Sequence, residues 1–545
     1  MTIRQPHQAV CCVLTVIFAL CLNAHQFFAQ RDSTGGGLFE QPFKQAKLMS
    51  ARHEFNGNNM RGALTLFREV LDSEPENADA LFGTAQCHYH LKKYKLSKEY
   101  LEKAIAVDPK VNDDQEFFYG EICHRLALLD DAIRHFEKFL AGKSPGSPDY
   151  KLAKEYIAQC RFATEMMAQP VDVTIENMGD VINSRFDDYT PSITADGRML
   201  VFTSRRDDTK GRAIDEEGDY KFFEDIYYSE FNETTGQWSI AAGIEGQVNT
   251  DTYDAVLSIA PSGRELFIYK NTVNMAGDIF TSQFDAASRS WTLPVKMDRP
   301  INTSYYEGSI SMTADGNTIY FISEREAGYG MGDIYVSEKK GGSWSSPKNL
   351  GPVVNTGLDE KFVFIHPNGR TLYFSSDGHN TIGSYDIFKT EFINGQWSIP
   401  INLGYPINTV NEESTFSLTK DNKTLYIAAE YDDSRGERDI YGVDVSQYAL
   451  ISGSYEESSF GSLVCRVTDF NKKPARGVDV AVYSASSNKL ITSVKTDKTG
   501  QAKVNVPLNF NYRIEVKMDE EVRTKEVMLR AKTGGETVEN IELNF

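Results

Sequence analysis

Three patterns of apolar and polar positions follow one another along the chain. From about residue 38 to 168, apolar residues recur at three- and four-residue steps, the period of amphipathic helices. Ala63, Leu64, Phe67 and Leu71 are spaced this way and Pro75 follows; Ser97, Lys98, Leu101, Ile105 and Pro109 repeat the arrangement 34 residues later. A third copy runs through Ala132, Ile133, Phe136, Phe139 and Leu140 to Pro145. The stretch from Asn77 to Gly83 fits the start of a first helix, Lys93-Tyr94 fits a turn, and Tyr150 to Met167 predicts a capping helix. Such helix pairs bury their apolar faces only by stacking, which leaves a concave groove. The groove is expected to hold a peptide or protein segment; the competing reading is a spacer that docks on the next domain.

From 171 to 448 the pattern changes to short strands with a long repeat. Asn183, Asn249, Asn302, Asn355 and Asn408 each open a unit, and the last three spacings are all 53 residues. Thirteen residues further on lie Asp196-Gly197, Ser262-Gly263, Asp315-Gly316, Asn368-Gly369 and Asp421-Asn422. These pairs supply the positive-φ position of a hairpin turn. An apolar strand follows each, and then Asp225-Ile226-Tyr227, Asp278-Ile279-Phe280, Asp333-Ile334-Tyr335, Asp386-Ile387-Phe388 or Asp439-Ile440-Tyr441. Trp238, Trp291, Trp344 and Trp397, all four tryptophans of the chain, close the first four units and are expected to pack the blades. Four short strands per unit predict a β-propeller blade.

The fifth unit has neither a tryptophan nor a fourth strand. Val171 to Gly179 aligns with Gln396 to Gly404 and is expected to complete it, because an open edge strand is a liability. The expectation is a five-bladed ring sealed by residues 171–177, with a six-bladed ring as the alternative. The first unit carries 13 extra residues between Arg205 and Asp225, either a contact loop or a tolerated surface insertion. After a linker at 449–460, residues 461–545 alternate in short segments such as Val478-Asp479-Val480-Ala481-Val482, which predicts a small β-sandwich.

The fold class expected is therefore multidomain, α followed by all-β. The helical repeat, with its small residues and terminal Pro, resembles the tetratricopeptide repeat. The Asp-Gly-x-x-Leu-Tyr-Phe and Asp-Ile-Tyr wording resembles the WD40-like repeats of TolB-type propellers. The last module resembles the carboxypeptidase regulatory-like domain, through its Pro-led loop, Thr496-Asp497-Lys498-Thr499-Gly500 turn and Tyr512-Arg513-Ile514-Glu515-Val516 strand. Together the order resembles envelope proteins of Bacteroidetes, as in PorE-type components of type IX secretion. That resemblance implies a scaffold for protein partners. The OmpA-like domain of those proteins has no counterpart before Phe545, so peptidoglycan binding is not carried over.

At the N-terminus, Arg4 and His7 precede the apolar run Ala9 to Leu22, the pattern of a secretory signal peptide over 1–29 with cleavage after Ala29. Lipidation at Cys21 is the alternative, although Leu20 departs from the small residue such a site wants. The expected location is the periplasm or the outer membrane, with no transmembrane span. Cys87, Cys123, Cys160 and Cys465 remain, too few for a disulfide framework, and are expected as buried thiols.

Charge then narrows the partners. The chain carries a formal net charge of −20, and residues 171–448 alone hold 43 acids and 23 bases. A nucleic-acid partner, which needs a basic footprint, is not expected. Five residues after each opening Asn stands Asp188, Asp254, Glu307, Glu360 or Glu413. On the blade pattern these form a possible acidic ring at the channel mouth, suited to a cation or basic side chain; the alternative is that they hold the ring together.

Catalytic signatures are missing. No G-x-S-x-G elbow between a strand and a helix, no H-E-x-x-H and no P-loop occurs (the string Gly142-Lys143-Ser144-Pro145-Gly146 falls within the helical repeats), and His366 and His379 of the propeller have no repeated partner. Cys87, His88, His90, Cys123 and His124 lack metal-ligand spacing. No enzyme activity, cofactor or metal is expected. The expectation is a cell-envelope scaffold, with a glycan-binding propeller or a hydrolase as alternatives.

Overall fold

The computed structural model describes residues 40–545 apart from 217–218, 271–276, 394, 453–459, 486–489, 509 and 531–536. The expected signal segment and Cys21 lie outside the described residues, as does most of the expected linker.

Seven helices come first: α1 (Glu40–Asn56), α2 (Met60–Ser73), α3 (Ala78–His90), α4 (Tyr94–Val107), α5 (Gln115–Arg125), α6 (Leu129–Ala141) and α7 (Pro148–Met167). They stack as antiparallel pairs because each apolar stripe is covered only by its neighbours. Asn77 caps α3 by accepting from the Ala80 N–H at 3.0 Å, and Ser147 caps α7 with Pro148 at its first position. Close crossings explain the small residues. A Cβ on Gly83 would lie 2.3 Å from the Phe67 ring, and one on Gly120 2.6 Å from Phe136.

Five antiparallel sheets then succeed one another among the described residues. Their innermost strands are Asp188–Ile193, Ala255–Ile259, Glu307–Met312, Glu360–Ile365 and Thr415–Leu418. Each abuts the next, and the first also abuts the fifth, so the sheets close a cycle. Second strands (Met199–Ser204, Glu265–Lys270, Thr318–Ser323, Thr371–Ser376, Thr424–Ala429) and third strands (Asp225–Asn232, Asp278–Asp285, Asp333–Lys340, Asp386–Ile393, Asp439–Asp444) follow outward. The outer strand of the first four sheets is not one continuous strand. It is broken into two short pieces that pair with the third strand, such as Gln396–Trp397 and Ile401–Asn402.

The fifth sheet is completed from the other side of the ring. Thr174–Asn177 pairs antiparallel with its third strand, Ile175 opposite Val443 and Asn177 opposite Tyr441. This strand follows α7 by only a few residues, so the same segment seals the ring and holds the helical array beside it.

Each opening asparagine clasps one sheet to the one before. Asn183 accepts from the Ile440 N–H and donates to the Ile440 carbonyl, both at 2.8 Å. Asn249 does the same to Ile226, Asn302 to Ile279, Asn355 to Ile334 and Asn408 to Ile387. The side-chain amide replaces a ladder bond at a place where the backbone has none, which satisfies two buried backbone groups. The tryptophans add apolar contact between sheets: Trp238 meets Tyr426 of the fifth sheet edge-on at 6.1 Å, and Trp397 meets Tyr320 of the third at 5.9 Å.

Residues 449–452 are not linker. They form a helical turn with Leu450 and Ile451 buried in the core of the fifth sheet, and the buried Lys389 ammonium donates to the Leu450 carbonyl at 2.7 Å. The last module has a three-stranded sheet (Gln501–Pro507, Phe460–Thr468, Val538–Asn544) and a four-stranded one (Leu490–Lys495, Asp479–Ser484, Phe510–Met518, Glu521–Leu529). Ile399 and Val353 of the ring pack against its core.

Candidate functional site at the ring mouth

All inner strands begin at one end of the ring, and the loops between second and third strands return to that end. We call it the mouth. The five repeated acids sit there, but not as an open collar. Asp188, Asp254, Glu307, Glu360 and Glu413 are all fully buried. Each accepts from the backbone N–H and the hydroxyl of the residue after the opening Asn, for example Thr409 at 2.7 and 2.6 Å from Glu413. The expectation of an accessible acidic ring is corrected here. A carboxylate four residues after a Ser or Thr folds back on that residue's N–H, so the side chain is spent within its own unit.

The five are not equivalent. Arg206 pairs with Asp188 at 3.0 Å, Lys270 with Asp254 and Arg325 with Glu307 at 3.5 Å. Glu360 keeps only hydroxyl and N–H donors, Ser376 among them at 2.8 Å. At the position of Ser376 the fifth sheet has Ala429, so Glu413 loses that donor as well. Burial pushes the Glu360 carboxyl up to about 7 and that of Glu413 up to about 8.

The surface of the mouth is made instead by the residue just before each acid: Asp187, Tyr253, Tyr306, Asp359 and Glu412. Residues from neighbouring sheets meet here. Arg438 of the fifth sheet bonds Asp187 of the first at 3.2 Å and lies 4.0 Å over the Tyr189 ring. Lys361 bonds Glu412 at 2.8 Å and lies 4.5 Å over Tyr385, whose hydroxyl donates to Asp359 at 2.7 Å. Burial acts to raise Asp187 and Glu412, but the adjacent cations win. Arg438 and Lys221 hold Asp187 well below the carboxylate range, and Lys361 with Arg438 brings Glu412 down to about 2. Glu224 takes a hydrogen bond from the Tyr189 hydroxyl, and burial holds its carboxyl above the usual range.

The extra residues of the first unit lie along this mouth. Lys221 bonds Asp187 at 2.9 Å and Glu437 of the fifth sheet at 2.5 Å, while the Tyr253 hydroxyl of the second sheet donates to Asp215. Sequence reasoning missed the mouth residues because their slot does not repeat. Two tyrosines, two aspartates and a glutamate occupy it, and the only signal is a polar or aromatic residue next to an invariant acid.

The helical array rests on the same end. His124 at the end of α5 meets the Ile382 carbonyl at 2.9 Å, and Arg125 donates to the Val410 carbonyl at 2.7 Å. Burial pushes His124 down to about 4, so the ring is neutral and its Nε2–H is the donor. Gln159 of α7 donates to Thr381 at 2.6 Å, and Lys92 pairs with Glu430 at 3.1 Å. Ile382 and Val410 belong to the same apolar cluster as Cys160, Phe162 and Ala163 of α7.

The cysteines and histidines considered for metal do not converge. Cys87 and Cys123 are buried thiols pushed up to about 12 and about 11, and His88 stacks on Tyr100 at 5.4 Å. No group of three metal-ligating side chains occurs among the described residues. Cys160 and Cys465 are buried and unpaired too. No described helix is long and apolar enough to cross a membrane.

Comparison with known proteins places the first part of the chain. The tetratricopeptide repeat model matches residues 48–113. No curated protein matches. Among solved structures, an O-GlcNAc transferase from Thermobaculum terrenum is 19% identical over 24% of this chain and 24% of its own, with a TM-score of 0.21. The type III secretion translocator chaperone SycD of Yersinia enterocolitica is 13% identical over 24% of this chain and 98% of its own, TM-score 0.22. TolB from Acinetobacter baumannii is 14% identical over 55% of this chain and 71% of its own, TM-score 0.28. The chain spans about a quarter of the first of these, as its 24% coverage states.

Proposed function

We propose that this chain is a non-enzymatic scaffold of the cell envelope that holds protein partners. The helical groove and the mouth of a five-bladed propeller are its contact surfaces, and the terminal sandwich, in the manner of a carboxypeptidase regulatory-like domain, is a spacer or docking module. The reading includes export through the N-terminal segment and extends to type IX secretion or envelope assembly as the setting.

One observation carries it. The array is joined to the ring by a buried hydrogen bond at His124, partly buried ones at Arg125 and Gln159, and a shared apolar cluster. Groove and mouth are thereby presented as one fixed surface. A fixed composite surface suits binding of extended partners, since little ordering entropy is lost on contact. Two rigid modules held this way also reward a partner that touches both.

The test is crosslinking of the full chain in its native cells, followed by affinity isolation, mass spectrometry and cell fractionation. Crosslinks to defined proteins from both the helical residues and the mouth loops, in an envelope fraction, are the expected result. A cytosolic location, or crosslinks confined to the chain itself together with turnover in a hydrolase screen, would overturn the reading.

A further inference from the structure

The mouth is electrically divided. From the fourth sheet through the fifth to the first, Glu412, Glu437 and Asp187 are matched by the chain's own cations, Lys361, Lys221 and Arg438. On the side of the third sheet they are not. Among the described residues Glu324, Glu326 and Asp359 form no ion pair. Asp359 is held by the Gly332 N–H at 2.9 Å and the Tyr385 hydroxyl, and Glu326 by the Tyr305 hydroxyl at 2.7 Å. Arg325, between the two glutamates in sequence, is turned inward onto the Ile301 carbonyl at 2.7 Å and Ser323 at 2.9 Å. Burial first, then Asp359 and Glu307, raise the Glu324 carboxyl above its ordinary value, the response of an acid among acids.

The same rim exposes large apolar side chains. Tyr329 is 52% exposed, Met331 64% and Leu358 50%, and Tyr305, bonded to Glu326 of the same loop, 38%. They are brought together by the backbone. The Met331 N–H donates to the Leu358 carbonyl at 2.8 Å, and a Cβ on Gly330 would lie 1.8 Å from that oxygen. Only glycine lets the 324–332 loop lie flush against Leu358, so the patch is held in one shape. A fixed, exposed cluster of Tyr, Met and Leu is the kind of surface that marks a contact site.

Resting on the scaffold reading above, we propose that this rim docks an extended segment of a partner protein that carries an apolar side chain next to lysine or arginine. The apolar side chain covers Met331 and Leu358, and the basic one meets Glu324, Glu326 and Asp359. The other half of the mouth shows the arrangement with internal groups: Lys361 on Tyr385 beside Glu412, and Arg438 on Tyr189 beside Asp187. A cation over an aromatic face next to a carboxylate is favourable, and the third-sheet side offers the exposed Tyr329 and three acids that form no ion pair among the described residues. Electrostatic complementarity of this sort sets which partner binds and how quickly.

The experiment places a photoreactive amino acid at position 331 and, separately, at the exposed Met49 of α1, in the full chain expressed in native cells. The expected result is a crosslink from position 331 to a segment with an apolar residue beside lysine or arginine. A synthetic peptide of that segment should bind the purified protein, and more weakly as salt is raised. Its affinity should drop about tenfold with Leu358→Ser and about two- to fivefold with Glu324→Gln, the losses expected for one buried apolar contact and one solvent-exposed charge contact. Circular dichroism confirms that both variants are folded. No crosslink from position 331, a captured segment that is acidic or purely polar, or peptide binding untouched by either variant would overturn the proposal. Partners captured from position 49 alone leave the scaffold reading standing and remove this one; capture from neither removes both.

Discussion

Replacing Asn183 with alanine removes the clasp between the first and fifth sheets. The Ile440 N–H loses its acceptor, and the Ile440 carbonyl keeps only the Met178 N–H at 3.2 Å. Ile440 is fully buried, so water does not replace the lost partner. An unsatisfied buried backbone group costs about 1–3 kcal/mol. With one group orphaned and a second weakened, the expected loss is about 2–4 kcal/mol. All four tryptophans of the chain lie in the ring, so their fluorescence during urea unfolding reports the ring alone. The midpoint should fall with little change in slope, because the surface exposed on unfolding is the same. The same substitution at Asn302, an interior clasp, should cost a similar amount, since Ile279 is equally buried and bonded in the same way. A loss under about 0.5 kcal/mol at both positions, the level of an ordinary surface change, would refute the clasp argument.

Two further outcomes follow from the same geometry. Glu413 is protonated in the folded ring near neutral pH, with its carboxyl at about 8 against an ordinary 4.5. The folded state therefore holds more protons than the unfolded one between those values. Ring stability should fall as pH rises from about 5 to 8, each proton contributing a slope of about 1.4 kcal/mol per pH unit. Glu413→Gln should flatten that dependence, because the amide does not titrate and keeps an oxygen to accept from Thr409; an unchanged slope would show that Glu413 ionises freely. Arg125→Ala should loosen the array on the ring by about 1.5–3 kcal/mol, the worth of a charged hydrogen bond. Hydrogen exchange should then quicken in 405–414 and 377–385 but not in α4; protection unchanged in those loops would mean that Arg125 does not hold the interface.

Much of the fold was legible in the sequence because repetition multiplies a weak signal. One Asp-Gly followed by an apolar strand says little, but five copies in register fix the turn, the second strand and the third. Thr174–Asn177 could be assigned to the fifth sheet for the same reason, since its neighbours resemble the outer segment of the fourth unit. The opening asparagines were visible as punctuation, yet their role was not: the clasp reaches the preceding unit, and sequence does not show which backbone lies opposite. The repeated acids stand at the mouth, as strand order requires, but the i−4 hydroxyl turns them inward, which the spacing alone does not reveal. His124, Arg125 and Gln159 carried no signal at all. Their partners are carbonyls and loops more than 200 residues away.

The account depends most on closure of the ring by the strand that leaves the helical array. Thr174 and Asp444 are directly opposite, exposed, and at the pairing distance that suits a disulfide. The measurement is oxidation of the double variant Thr174→Cys, Asp444→Cys, followed by peptide mapping with and without reductant. The account predicts near-complete crosslinking of these two positions in the folded chain, with unfolding shifted to higher urea. Two free thiols that react with maleimide while the protein stays folded would contradict it.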